Sequence, residues 1–122
     1  MAITNTSTDK IVGVVAAQKA FFRGGQTLNR EFRLQALKSL KKAILKWEKP
    51  LAKALWKDLH KSYEEAYMTE ISIVLGEIDN HISHLKRWMK PVRKATPLKM
   101  FPSRSKVISE PLCCSLIIAP WN

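Results

Sequence analysis

The chain has 122 residues, enough for one domain with a modest core, and its 46% hydrophobic and 25% charged content excludes a wholly disordered polymer. Its 21 lysines and arginines against 10 acids give a formal net charge of +11, a balance that suits an anionic partner such as nucleic acid or an acidic surface. The two cysteines are adjacent, Cys113 and Cys114, which excludes a disulfide framework and a zinc-finger spacing and makes a reducing, cytoplasmic setting the default expectation.

The N-terminus is polar, and the apolar run Ile11 to Ala17 is too short to span a bilayer or to read as a secretory signal. A first helix is predicted from Ser7 or Thr8. Either residue can cap it, Asp9 falls in its first turn, and Ile11, Val14, Val15, Phe21 and Phe22 form its apolar stripe. Gly24-Gly25 should stop it. A second helix is predicted from about Thr27, with Leu37, Leu40, Ile44 and Trp47 on one face. Pro50 lacks an amide hydrogen and disfavours a helical residue before it, so a break is expected near Trp47 to Lys49. A short third helix would then carry Leu51, Leu55 and Leu59.

Ser62 and Glu65 make a capping box that opens a long fourth helix. Ile71, Leu75, Ile78, Ile82, Leu85 and Met89 recur along it at four-three spacing, and Pro91 should end it at Lys90. Beyond that point Pro97, Pro102 and Pro111 rule out another long helix. Lys106 to Ser109 reads as a short strand at a sheet edge, and Leu112 to Ala119 as a strand buried on both faces of a parallel sheet. The expected fold is therefore mainly α, with about four helices and then two or three short strands. The implied organisation is a helical region over 1–90, a linker with a bridging strand over 91–111, and the start of a second domain over 112–122. A buried parallel strand needs neighbours reached by crossover connections, and none follows in this sequence.

Three constellations invite a chemical reading. His81 and His84, at i and i+3, can share a helix face, but the sequence names no further metal ligand, so no metal is assigned. From Lys86 to Lys106 there are eight lysines and arginines and no acid, with Trp88 and Phe101 as the stacking groups. That stretch supports an alternative reading of the chain as a basic helical module for nucleic acid or acidic surfaces. No nucleic-acid motif accompanies it, and sequence-specific binding is not expected.

The third constellation is at the end. Glu110-Pro111-Leu112, followed after Cys113-Cys114 by Ser115-Leu116-Ile117-Ile118-Ala119-Pro120-Trp121-Asn122, resembles the entry into the cofactor domain of aldehyde dehydrogenases. Upstream, Arg33 to Leu37, Ala54 to Ser62 and Val74 to Asp79 resemble the helical N-terminal region of class 3 members. The resemblance covers the chain from about Ile11, and the order and spacing of its blocks make it specific.

It implies an α/β parent fold with a Rossmann-like domain that binds NAD or NADP, an aldehyde substrate and a homodimer. It also implies that backbone around Ile118, Ala119, Pro120 and Trp121 lines the nicotinamide-ribose site. The side-chain amide of Asn122 would donate to the aldehyde oxygen as a thiolate attacks, the role of an oxyanion hole. The family's nucleophilic cysteine, general-base glutamate, phosphate-binding glycine turn and ribose-binding lysine all come after this position. The chain alone is thus expected to bind no cofactor and to be inactive. Cys113 and Cys114 precede the asparagine and are not the nucleophile. They stand where the family usually has Gly-Val, and a cysteine there strains the backbone if a positive φ is required.

Overall fold

The computed structural model describes residues 5–118. These fall into two units, one joining residues 5–29 with 110–118 and the other running from Arg30 to Ser109.

In the first unit helix α1 spans Thr8–Arg23. Ser7 takes the N-cap position in an extended conformation, but its hydroxyl accepts no helix amide, so the start rests on Asp9 in the first turn. The end is built as the glycine pair dictates. Gly24 donates to the Ala20 carbonyl at 3.1 Å, and Gly25 adopts φ +74°, where a side chain would clash with its own backbone. A 3-10 turn, Gln26–Leu28, follows. The second helix therefore starts later than Thr27. The apolar stripe of α1 has helical spacing, yet none of its residues is buried, and Ile11 is 52% exposed.

The other part of this unit corrects an expectation. Residues 112–118 form no strand, and Leu112, Leu116, Ile117 and Ile118 are each at least 80% exposed. A strand is defined by the ladder it joins, and no parallel partner exists among the described residues, whose only sheet is a two-stranded one elsewhere.

The second unit is built on helix α2, Arg30–Leu59. Helix α3, Tyr63–Ala66, passes through a π-helical turn, Tyr67–Ile71, into α4, Ser72–Trp88. These last three run on without a break, so the described chain has three helical rods rather than four.

The miscount comes from Pro50, which lies inside α2 instead of breaking it. The inward positions Leu34, Leu37, Lys41, Ile44, Glu48, Ala52 and Leu55 keep helical spacing straight through it. Packing on α4 holds the rod, and the Lys46 carbonyl that loses its partner belongs to an exposed residue that water can reach. The same face explains two further departures: Leu40 and Trp47 are 50% and 56% exposed, outside the stripe that their spacing suggested.

Ser62 caps α3, with the Glu65 amide donating to Ser62 Oγ at 3.1 Å, which is the Ser62 half of the expected capping box. In the π turn Thr69 Oγ1 donates to the Glu65 carbonyl at 2.8 Å and Ser72 Oγ to the Met68 carbonyl at 3.0 Å. Such side-chain bonds occupy carbonyls that the regular ladder would use, and they accompany the looser turn. The turn lets Ala66 and Ile71, five residues apart, enter one core. That core comprises Ala52, Ala66, Ile71 and Leu75, with Ile44 and Leu55 against it.

Ile78 and Leu85 continue the buried stripe of α4, which ends at Trp88 with Met89 as its cap, two residues before Pro91. Between the rods Lys41 Nζ bonds both carboxylate oxygens of Asp79 at 2.6 Å. The pair is too exposed to contribute more than about 1 kcal/mol, but it tells the two helices how to align. Strands β1, Val92–Lys94, and β2, Ser105–Val107, then pair antiparallel, with Arg93 opposite Lys106. Of the strand expected over Lys106 to Ser109, only Lys106 and Val107 lie in β2, which begins one residue earlier and ends two earlier; β1 carried no signal in the sequence.

Candidate functional site

Of the residues that the resemblance assigns to the site, the described part of the structure contains only Ile118. Ala119, Pro120, Trp121 and Asn122 lie outside it. Ile118 is 80% exposed, and the described residues build no wall beside it that would cradle a nicotinamide ribose. Here the chain offers the approach to a site.

The approach has one informative feature. Cys113 sits at φ +80°, in the region that favours glycine, at the position where the resemblance places one. The sequence alone flagged this strain as conditional on a positive φ, and the structure supplies that φ. Cys113→Gly is therefore expected to stabilise the chain by roughly 1 kcal/mol, because a left-handed side-chain residue costs about 1–2 kcal/mol and glycine returns part of that in unfolded-state entropy. A higher urea midpoint for Cys113→Gly, with a lower one for Cys114→Gly, checks this.

The other constellations resolve into local structure. His81 Nδ1 lies 2.8 Å from the Glu77 carbonyl and 3.2 Å from Glu77 Oε1, and His84 Nδ1 lies 2.9 Å from the Asn80 carbonyl. Both imidazoles thus engage their own helix. Both also meet Trp88, edge-on from His81 at 5.1 Å and stacked with His84 at 5.6 Å. The described residues contain no group of three or more His, Cys, Asp or Glu side chains placed to hold a metal. Trp88 is committed to this aromatic cluster, which leaves Phe101, 82% exposed, as the open ring of the basic stretch.

Sequence reasoning missed a second polar contact between helices besides Lys41 with Asp79. The Tyr63 hydroxyl donates a short hydrogen bond to Glu48, tying α3 to α2. That bond, ahead of partial desolvation and the charges of Glu48, Tyr67 and Glu64, holds the phenol above its ordinary range. A separation of fifteen residues across a turn carries no periodic signal that would have disclosed it.

Comparison with known proteins bears on the terminal motif. The model of the aldehyde dehydrogenase family matches residues 1–122. The chain belongs to this family. It is 45% identical over 104 residues to the 4,4'-diaponeurosporen-aldehyde dehydrogenase of Staphylococcus aureus, covering 85% of this chain and 23% of that protein. It is 40% identical over 115 residues to the dimeric NADP-preferring aldehyde dehydrogenase of Canis lupus familiaris, covering 93% of this chain and 25% of the relative. Family 3 members are among the relatives, in line with the class 3 resemblance.

Among solved structures, the substrate-bound state of Staphylococcus aureus AldH superposes with a TM-score of 0.79 at 40% identity, over 88% of this chain and 23% of that one. This aldehyde dehydrogenase chain spans about a quarter of the length of the relatives that it matches. No helix among the described residues is long and apolar enough to cross a membrane.

Proposed function

We propose that these residues are the N-terminal part of an NAD- or NADP-dependent enzyme that oxidises aldehydes to carboxylic acids. Asn122 would be its oxyanion donor, and the backbone of Ile118, Ala119, Pro120 and Trp121 would border the nicotinamide ribose. The observation that carries this reading is the family match over residues 1–122, which includes the Pro120-Trp121-Asn122 motif.

Within it, residues 1–90 would be the helical region, 91–111 the linker and bridging strand, and 112–122 the segment that becomes the first cofactor-domain strand and turn. In the complete enzyme this segment would find its ladder beside parallel neighbours supplied by other parts of the family fold. The homodimer and the cytoplasmic setting belong to the same proposal, the first supported by the canine relative, which is a dimeric enzyme. The nicotinamide, when bound, accepts the hydride. What this chain supplies is one amide donor and the backbone that aims it.

The reading is tested with two proteins. The chain alone, mixed with NAD or NADP and several aldehydes, should produce no sustained reduced cofactor, because a thiolate and a general base are both required for turnover. A chimaera, in which residues 1–122 replace the matching stretch of the Staphylococcus aureus enzyme, should oxidise aldehydes. Turnover by the isolated chain, or a folded chimaera without activity beside an active parent, would show the proposal to be wrong.

A further inference from the structure

We propose that Cys113 and Cys114 form a two-sulfur chelating site for a trivalent organoarsenic centre, with the organic group seated in the hollow beside α1. Both cysteines are free thiols, Cys113 exposed and Cys114 half-buried, and their Sγ atoms lie 3.7 Å apart. In an extended strand adjacent side chains point to opposite faces. Here the segment is no strand, and the φ of +80° at Cys113 accompanies two sulfurs on one side of the chain. The residue that strains the backbone is thus half of the ligand pair.

The geometry discriminates between the ways two thiols can be used. Adjacent α-carbons are about 3.8 Å apart across a trans peptide, whereas a disulfide usually spans at least about 4.4 Å between α-carbons. A direct S–S bond is therefore disfavoured, and an atom inserted between the sulfurs relieves the mismatch. A tetrahedral zinc site needs more ligands than the described residues gather anywhere. A pyramidal arsenic(III) centre needs two sulfurs and one carbon.

The hollow supplies the rest. It has a volume of ≈ 480 Å³ and is lined by Ala17, Gln18, Phe21 and Phe22 together with the two cysteines. Phe21 and Phe22 give an aryl or alkyl substituent an apolar wall. Burial, and then the hydrogen bond and charge of Cys113, push the Cys114 thiol up, while Lys19 opposes them. A raised thiol is a slow nucleophile toward ordinary alkylating agents, which favours a reagent that captures both sulfurs together.

The step balances without any oxidant. A species R–As(OH)₂ forms two As–S bonds and loses two As–O bonds. The two thiol protons leave with the two hydroxides as water, and arsenic stays trivalent.

The test uses the whole chain with phenylarsine oxide as probe and intact-mass spectrometry as readout. One phenylarsine per chain should add, resist an excess of a monothiol such as mercaptoethanol, and be removed by a 1,2-dithiol such as dimercaptopropanol. Losing either sulfur removes the intramolecular second bond, so Cys113→Ser and Cys114→Ser should each weaken binding by roughly 10²-fold or more. Phe22→Ala, which keeps both sulfurs, should weaken it severalfold. An adduct that mercaptoethanol strips from the parent chain, or one that persists in either serine variant, overturns the chelate. Unchanged affinity in Phe22→Ala overturns the assignment of the hollow.

Discussion

Ile71→Ala is expected to lower the stability of the helical unit by about 2–5 kcal/mol, the range for removing a buried isoleucine and leaving a cavity behind. The size of the effect follows from how little core there is. Ile71 is 4% exposed, at the end of the π turn, and touches a cluster whose other buried members are Ala52, Ala66 and Leu75. Two of those are alanines, which cannot swing into the space. A domain of this size is stable by only about 5–15 kcal/mol, so one such loss is a large fraction of the whole. Ile73→Ala is the control. Ile73 lies two residues further on and is 62% exposed, and its truncation should change stability by no more than about 0.5 kcal/mol. Urea titrations followed by far-UV circular dichroism compare the two. Equal losses would mean that the π turn does not deliver Ile71 to the core in solution.

The parts of this fold that were legible in the sequence are those in which a local signal and the tertiary outcome agree. Ser62 and Glu65 cap a helix because the free amides at a helix start need acceptors wherever it packs, and Gly25 turns the chain because a positive φ needs glycine. Ile71, Leu75, Ile78 and Leu85 are periodic in the sequence and buried in the structure.

The misreadings arise where tertiary structure outvotes a local rule. Pro50 argues for a break at a cost of about 3 kcal/mol, but inward residues on both sides of it belong to one face, and their shared packing wins. The strand β1 hides behind Arg93 and Lys94, whose charges read as a solvated link until Lys106 and Ser105 pair with them. For Leu112 to Ile118 the composition of a strand is present and the ladder is not, since hydrogen bonding between strands is never a property of one segment.

The site is a different case. A single asparagine has no period, and Asn122 became visible only through the ordered blocks that resemble a family. The strain at Cys113, by contrast, needs both that resemblance and the left-handed φ of the folded chain to be visible.

In the chimaera described above, Asn122→Ala is expected to lower kcat by about 10²–10³-fold, equivalent to about 2.7–4 kcal/mol of lost transition-state stabilisation. The direction follows from where charge appears. An aldehyde oxygen is a weak acceptor before attack and carries nearly a full negative charge once the thiolate has added. A side-chain amide held at that oxygen gains most of its strength in the transition state. Its removal should therefore fall on kcat, with KM nearly unchanged, since uniform binding is not what is lost. Asn122→Asp should be at least as damaging, because it keeps the shape of the side chain but sets a carboxylate against the developing charge. Asn122→Gln retains the donor on a longer arm and should lie between the parent and Asn122→Ala, as displacing a reacting contact by about 1 Å can cost 10²-fold. Steady-state kinetics on the three variants, each first checked for a parent-like thermal midpoint, separate this role from a structural one. If Asn122→Ala raised KM while leaving kcat within a few-fold of the parent, the amide would be a substrate-binding contact and not the donor to the oxyanion.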